Sequence, residues 1–161
     1  MVGSIDPRKG IDMAARAAAS ASVPLVLAGG APSSFVKGTL PQSTVCLGAV
    51  SDEELPALYA SATALLYPTR YEGFGLPPLE AMACGTPVIA SDLPPLRETV
   101  TGAALLVAAD DADAWIEAAR TMTASAALRQ ELVQSGYRKV RDFSWHQAGQ
   151  CLVEALRLGS S

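Results

Sequence analysis

Hydrophobic residues in this chain fall into short runs, and the stretches between the runs place apolar side chains at helical spacing. Runs at 25–28, 44–47, 64–67, 88–90 and 104–107 are short, aliphatic and rich in β-branched residues, the pattern of strands buried on both faces. Between them the spacing predicts helices at 11–21, 52–60 and 77–84, with a short turn of helix near 95–100. After residue 107 the strand signal stops and three helices are predicted, at 111–123, 125–141 and 145–158.

Strands alternating with helices predict parallel pairing through crossover helices. The expected fold is therefore α/β: a Rossmann-like parallel sheet of five or six strands, helices on both faces, and a C-terminal helical tail. Local chemistry supports the boundaries. Ser51 with Glu54, and Ser144 with Gln147, have capping-box spacing, and Gly85 stands where a helix must stop before Thr86-Pro87. Met1-Val2-Gly3 reads as the tail of a first strand, since strands average about 5–6 residues, so the chain is expected to be cut from something longer. Gly159-Ser160-Ser161 is expected to fray.

Composition narrows the class. The chain has 161 residues, 50% of them hydrophobic and 17% charged, the material of one domain spanning 1–161. A domain of that size buries roughly 70% of the surface its unfolded chain exposes, enough to fold without staples. A net charge of -4 leaves no basic field for a nucleic-acid backbone, so that partner is excluded. Cys46, Cys84 and Cys151 are odd in number and far apart, and read as small core residues of a reduced, cytoplasmic protein. No leader pattern and no apolar run of about 20 residues is visible, so no transmembrane segment is expected.

The chemistry concentrates in residues 71–90. Here a strand end leads through Glu72-Gly73-Phe74-Gly75 into a helix begun by Pro77 and ended by Gly85. Gly73 and Gly75 are expected to let a ligand approach the backbone, with the free amides and dipole of the helix start forming an anion site. Glu72 and Glu80 are separated by seven residues, one in the loop and one a turn into the helix. Both carboxylates can face the crevice beyond the C-terminal strand ends, where open α/β sheets bind ligands. Carboxylates accept hydrogen bonds from hydroxyls, so a pair flanking an anion site suits a nucleotide sugar, with phosphate between two sugars.

In these residues the chain resembles the C-terminal domain of family 4 glycosyltransferases of the GT-B fold. The landmarks are Gly3 with Arg8-Lys9, the pair Gly29-Gly30, the segment Gly48-Ala49-Val50-Ser51, the two-glutamate stretch, and Phe143-Ser144-Trp145, in the family's order. The family pattern often carries arginine where this sequence has Ser4. The resemblance implies that Lys9, helped by Arg8, neutralises the donor diphosphate. It further implies that Glu72 contacts the transferred sugar, Glu80 the ribose hydroxyls, and the amides of Phe74, Gly75 and Leu76 the sugar or distal phosphate, with Val50 in the base pocket. Retention of anomeric configuration, a missing N-terminal acceptor domain and a parent enzyme at the membrane periphery also come from the resemblance. No metal or cofactor is expected; the chemistry asks little of a side-chain nucleophile, because the diphosphate leaves as the sugar carbon becomes cation-like, and what the protein must supply is charge stabilisation.

Other readings compete. Asp52, Glu53 and Glu54 read as helix-start residues, His146 as a surface or structural residue, and Trp115 and Trp145 as packing residues. A different class of function, a stand-alone nucleotide or nucleotide-sugar binding module without turnover, fits the isolated chain. A sugar-nucleotide epimerase would need more acid/base residues than a single histidine offers, and a receiver domain more acidic residues than Asp6 at its first strand end.

Overall fold

The computed structural model describes residues 1–3, 6–30 and 40–158; Ser4 and the terminal Gly159-Ser160-Ser161 lie outside that set. Its strands are β1 (Val26–Ala28), β2 (Val45–Gly48), β3 (Leu65–Tyr67), β4 (Val88–Ser91) and β5 (Leu105–Val107). The helices are α1 (Ile11–Ser20), α2 (Leu55–Ser61), α3 (Leu76–Ala83), α4 (Pro94–Val100), α5 (Ala112–Ala124), α6 (Ala126–Lys139) and α7 (Trp145–Leu158).

Among the described residues every strand pairing is parallel, β1 with β2 and β3–β4–β5 in that order. Val2 adds a parallel bridge to Ala28, so the opening residues lie along β1 in the sixth strand position. The five named strands form a two-stranded and a three-stranded group rather than one continuous ladder. Residues 1–3 hold β1 through the Gly3 N–H to the Ala28 carbonyl (2.9 Å) and the Ala28 N–H to the Met1 carbonyl (3.0 Å).

Side-chain alternation along the central strands divides the core in two. Leu65, Tyr67, Val88 and Ala90 face one side and pack with Leu79 and Met82 of α3 and Leu96 of α4. Leu66, Ile89 and Val107 face the other, against the alanine-rich surface of α1 and Trp115 of α5. Helices thus cover both faces of the β3–β4–β5 sheet.

The helix ends follow the sequence signals. Ser51 and Glu54 form a reciprocal capping box: the Ser51 N–H donates to Glu54 Oε2 (3.1 Å) and the Glu54 N–H to Ser51 Oγ (3.3 Å). At Gly85, φ is +76°, the Thr86 N–H donates to the Ala81 carbonyl and the Gly85 N–H to the Met82 carbonyl. This is the two-bond Schellman stop, which returns the chain directly to β4.

Three expectations are corrected. β2 is not buried: Val45 and Leu47 are each 46% exposed, and among the described residues the strand pairs with β1 alone. Cys46, which sits on it, is exposed, as is Cys151 on α7, and Cys84 is half-buried, so the cysteines are not core residues. Trp115 is fully buried with its indole N–H on the Ala108 carbonyl, but Trp145 is 87% exposed at the start of α7, whose side chains are exposed along the helix. Packing occupies one tryptophan only.

One close approach sets the position of the chemistry. Gly10, at φ +62°, starts α1 so near the end of β3 that an added Cβ would lie 2.0 Å from the Pro68 carbonyl oxygen. Gly10→Ala is expected to destabilise the fold by about 2–5 kcal/mol, from the left-handed backbone and the clash together. Gly30→Ala, with nothing among the described residues within 4 Å of the added Cβ, should stay close to wild type. Urea unfolding of both variants checks this, and equal midpoints would contradict the close approach.

Candidate functional site

The turn before α1 is built by Asp6, whose Oδ1 accepts the Arg8 N–H at 2.8 Å while its carbonyl accepts the Lys9 N–H at 2.9 Å. The turn is tied to the end of β3 by the Arg70 N–H on the Arg8 carbonyl (2.7 Å). With its backbone clamped there and Gly10 against Pro68, Lys9 reaches over the C-terminal end of β3. Lys9 Nζ lies 2.9 Å from Glu72 Oε2 and 3.2 Å from the Tyr67 hydroxyl. The Tyr67 hydroxyl also donates to Glu72 Oε2, so the three groups form a closed triangle.

The triangle is substantially desolvated: the Lys9 and Glu72 side chains are 20% and 18% exposed, and Tyr67 is buried. Partial burial opposes ionisation of Glu72, but hydrogen bonds from Tyr67, Lys9 and the Gly73 N–H, with the charge of Lys9, outweigh it and hold the carboxyl below its ordinary range. Burial pushes the Tyr67 phenol upward, and the bond to Glu72 and the charges of Glu72 and Glu80 add to it. Tyr67 therefore stays a neutral donor.

Glu80, the other predicted carboxylate, projects from α3 and accepts the hydroxyl of Tyr59 at 2.9 Å. Tyr59 belongs to α2, is 3% exposed, and is likewise pushed upward by burial and then by Glu80. Each predicted carboxylate thus rests on a buried phenol, and Tyr67 senses both charges. Neither tyrosine was named by the sequence reading. Its available signal was a tyrosine ending an otherwise aliphatic strand, since a buried phenol hydroxyl needs a partner.

The glycine loop differs in part from expectation. Gly73 is open, with nothing within 4 Å of an added Cβ, and its N–H donates to Glu72 Oε1. Gly75 does not free space for a ligand: at φ +97° its missing side chain faces α4, 2.5 Å from Leu96 Cδ2. It lets the loop pack tightly rather than opening it. Pro77 and Pro78 occupy the first turn of α3, so two amides of that turn cannot donate. The helix-start donors are correspondingly fewer than the dipole argument assumes, leaving the loop amides and Leu76. Phe74 is fixed by its carbonyl on Thr99 Oγ1 (3.2 Å) and by edge contact with Phe143 (5.8 Å between centroids).

Arg8 and Val50 lie apart from the triangle. The Arg8 guanidinium is exposed and forks onto Asp6 (Nη2 to Oδ2, 2.8 Å), which holds the Asp6 carboxyl down to about 2. Val50 is half-buried and lines an open hollow of about 440 Å3 between the end of β2 and α2, with Leu47, Ala57 and Leu58. Glu80 borders a larger apolar hollow of about 630 Å3, beside Phe74, Leu76, Phe143 and Trp145. His146 is exposed. Among the described residues no three His, Cys, Asp or Glu side chains converge as a metal site, and no helix is long and apolar enough to cross a membrane.

Residues 1–139 match the family of glycosyl transferases group 1. The chain belongs to that family. Among its relatives, the O-antigen chain mannosyltransferase B of Escherichia coli is 39% identical over 112 residues, 70% of this chain and 29% of that protein. The D-inositol 3-phosphate glycosyltransferase of Mycobacterium avium is 34% identical over 97% of this chain and 40% of that protein. In three dimensions, sucrose-phosphate synthase from Thermosynechococcus elongatus matches 98% of this chain at a TM-score of 0.82 and 33% identity, using 45% of its own length. Anabaena HepE, solved in complex with UDP, matches at the same TM-score with 19% identity, a likeness of fold. The chain spans less than half the length of each of these relatives. The fold is the Rossmann-like α/β architecture of GT-B glycosyltransferases.

In this group 1 domain the Lys9–Glu72 pair also links stability to pH. Folding holds the Glu72 carboxyl below its ordinary value of 4.5, so its stabilising contribution is present above that value and disappears as pH falls through the lower, folded one. Between pH 7 and pH 3 wild type should lose more stability than Glu72→Gln, which cannot titrate. Parallel urea curves at the two pH values measure the difference, and equal losses would remove Glu72 from the linkage.

Proposed function

We propose that this chain is the donor half of a retaining glycosyltransferase, holding a nucleotide sugar at the C-terminal end of β3. The observation that carries this reading is the triangle of Lys9, Glu72 and Tyr67 beside the open Gly73 loop, with Glu80 on the next helix. Lys9 and Glu72 satisfy each other as an ion pair at 2.9 Å. A diphosphate offers Lys9 more negative charge than one carboxylate does, and charge-assisted bonds of this kind are the strong ones. As Lys9 turns to the phosphates, Glu72 accepts from a sugar hydroxyl, and Glu80 accepts from the ribose. The exposed Gly73 and Phe74 leave the loop backbone within reach of the sugar.

The chemistry this supports is departure of a nucleoside diphosphate with Lys9 stabilising the charge that builds on the leaving oxygens. A preorganised donor of that kind contributes roughly 3–4 kcal/mol to transfer. The acceptor, a sugar or lipid, approaches from a second domain, for which relatives more than twice this chain's length leave room. By itself the chain acts as a nucleotide-sugar binding module: without a closing partner the crevice admits water, which weakens the electrostatic stabilisation that transfer requires. The parent is assigned to the cytoplasm, at the membrane periphery.

A thermal-shift screen over UDP, GDP and ADP and their sugars identifies the donor, since ligand at 100 times its Kd stabilises by about 2.7 kcal/mol. With the best ligand, Lys9→Ala should lose diphosphate affinity far more than nucleoside affinity. Glu80→Ala should lose about 1.5–3 kcal/mol for nucleotide and nucleotide sugar alike. Glu72→Ala should weaken the nucleotide sugar relative to the bare nucleotide, and equal losses for both would remove Glu72 from the sugar site. Incubation of the chain with that donor and a panel of sugar and lipid acceptors should give no multiple-turnover transfer. Absence of any nucleotide shift, or Lys9→Ala binding as wild type, would sink the reading.

A further inference from the structure

We propose that Tyr67 is a positioning residue that keeps Glu72 aimed at the sugar when Lys9 leaves it for the donor phosphates; this rests on the donor reading above. The partner exchange there has a weak point. Glu72 is mostly shielded from water, and losing Lys9 would leave a carboxylate short of partners.

Tyr67 answers that need from a fixed place. Its ring is 1% exposed and packed in the core between β4 and α3, so its hydroxyl cannot follow Lys9 away. It donates to Oε2, the same oxygen that Lys9 contacts, while the Gly73 N–H donates to Oε1 at 3.0 Å. With Lys9 gone, Glu72 keeps one donor on each oxygen and the same orientation, with lone pairs free for a sugar hydroxyl. Tyr67 also accepts from Lys9 Nζ at 3.2 Å, a contact that Lys9 gives up together with Glu72 when it turns to the phosphates. The charged groups facing the phenol are Lys9, Glu72 and Glu80; burial first, then the bond to Glu72 and the two carboxylate charges, push the phenol upward, so it serves as a donor through the neutral range.

Tyr59 makes the informative contrast. It donates to Glu80 in the same way, but among the described residues no lysine pairs with that carboxylate, so Tyr59 should matter equally for nucleotide and nucleotide sugar.

The test uses Tyr67→Phe, which retains the ring in its packing site and removes only the hydroxyl. Two measurements are made. In the ligand-free chain, the Glu72 side-chain carboxyl is titrated by carbon-detected NMR in wild type, Tyr67→Phe, Lys9→Met and the double variant. Loss of the hydroxyl should raise the Glu72 midpoint, and raise it also where Lys9 is already absent. By calorimetry, affinity is then measured for whichever pair binds wild type best among UDP and UDP-glucose, GDP and GDP-mannose, and ADP and ADP-glucose. Tyr67→Phe should weaken the nucleotide sugar about tenfold or more while leaving the bare nucleotide within about twofold; Tyr59→Phe should weaken both alike. An unmoved Glu72 midpoint, or equal losses for both ligands in Tyr67→Phe, would overturn the role of Tyr67. Failure of wild type to bind any of the six would instead overturn the donor reading, with the NMR titration still deciding whether Tyr67 governs Glu72.

Discussion

A phenol hydroxyl buried at the end of a strand has to find a partner inside the protein, and at Tyr67 that requirement organises the surrounding structure. Leaving such a group unsatisfied costs about 1–3 kcal/mol, so β3, the turn before α1 and the loop before α3 are arranged where Tyr67, Lys9 and Glu72 meet. Alternation in β3 sends Leu66 to one core and Leu65 with Tyr67 to the other. Gly10 against Pro68 then brings the Lys9 turn down onto the strand end. The charged pair does not hold the fold together by itself. It is positioned by packing that is already in place.

The same packing explains which features were legible beforehand. Runs at 64–67 and 88–90 read as buried strands because both faces of that sheet are covered, one by α1 and α5, the other by α3 and α4. The stops were legible too, because Gly85 and Ser51 act through their own backbone neighbours. Features decided by distant contacts were not. Trp145 reads as a packing residue, yet it is 87% exposed, and Cys46 on the outermost described strand is exposed as well. Gly75 signals close approach correctly but not what approaches, which is Leu96 rather than a ligand.

For the candidate site, the sequence pointed to Lys9, Glu72 and Glu80 through their place in an ordered set of landmarks. Pairing of Lys9 with Glu72 across 63 positions, and the phenol beneath each carboxylate, exist only once the chain is folded. Arg8 shows the opposite outcome. It neighbours Lys9 in sequence, but successive residues in a tight turn point apart, and its guanidinium forks onto Asp6.

Membership of the group 1 glycosyl transferases supplies the class of chemistry, and in the proposed reading the Lys9–Glu72 pair is the contact that a donor diphosphate opens. The most direct measurement is a crystal structure of the chain with the nucleotide sugar that stabilises it most. The expected result is a diphosphate oxygen at about 3 Å from Lys9 Nζ, the Lys9–Glu72 pair opened, Glu72 still held by Tyr67 and turned to a sugar hydroxyl, and the ribose at Glu80. A diphosphate bound elsewhere, with Lys9 and Glu72 still paired, would contradict it.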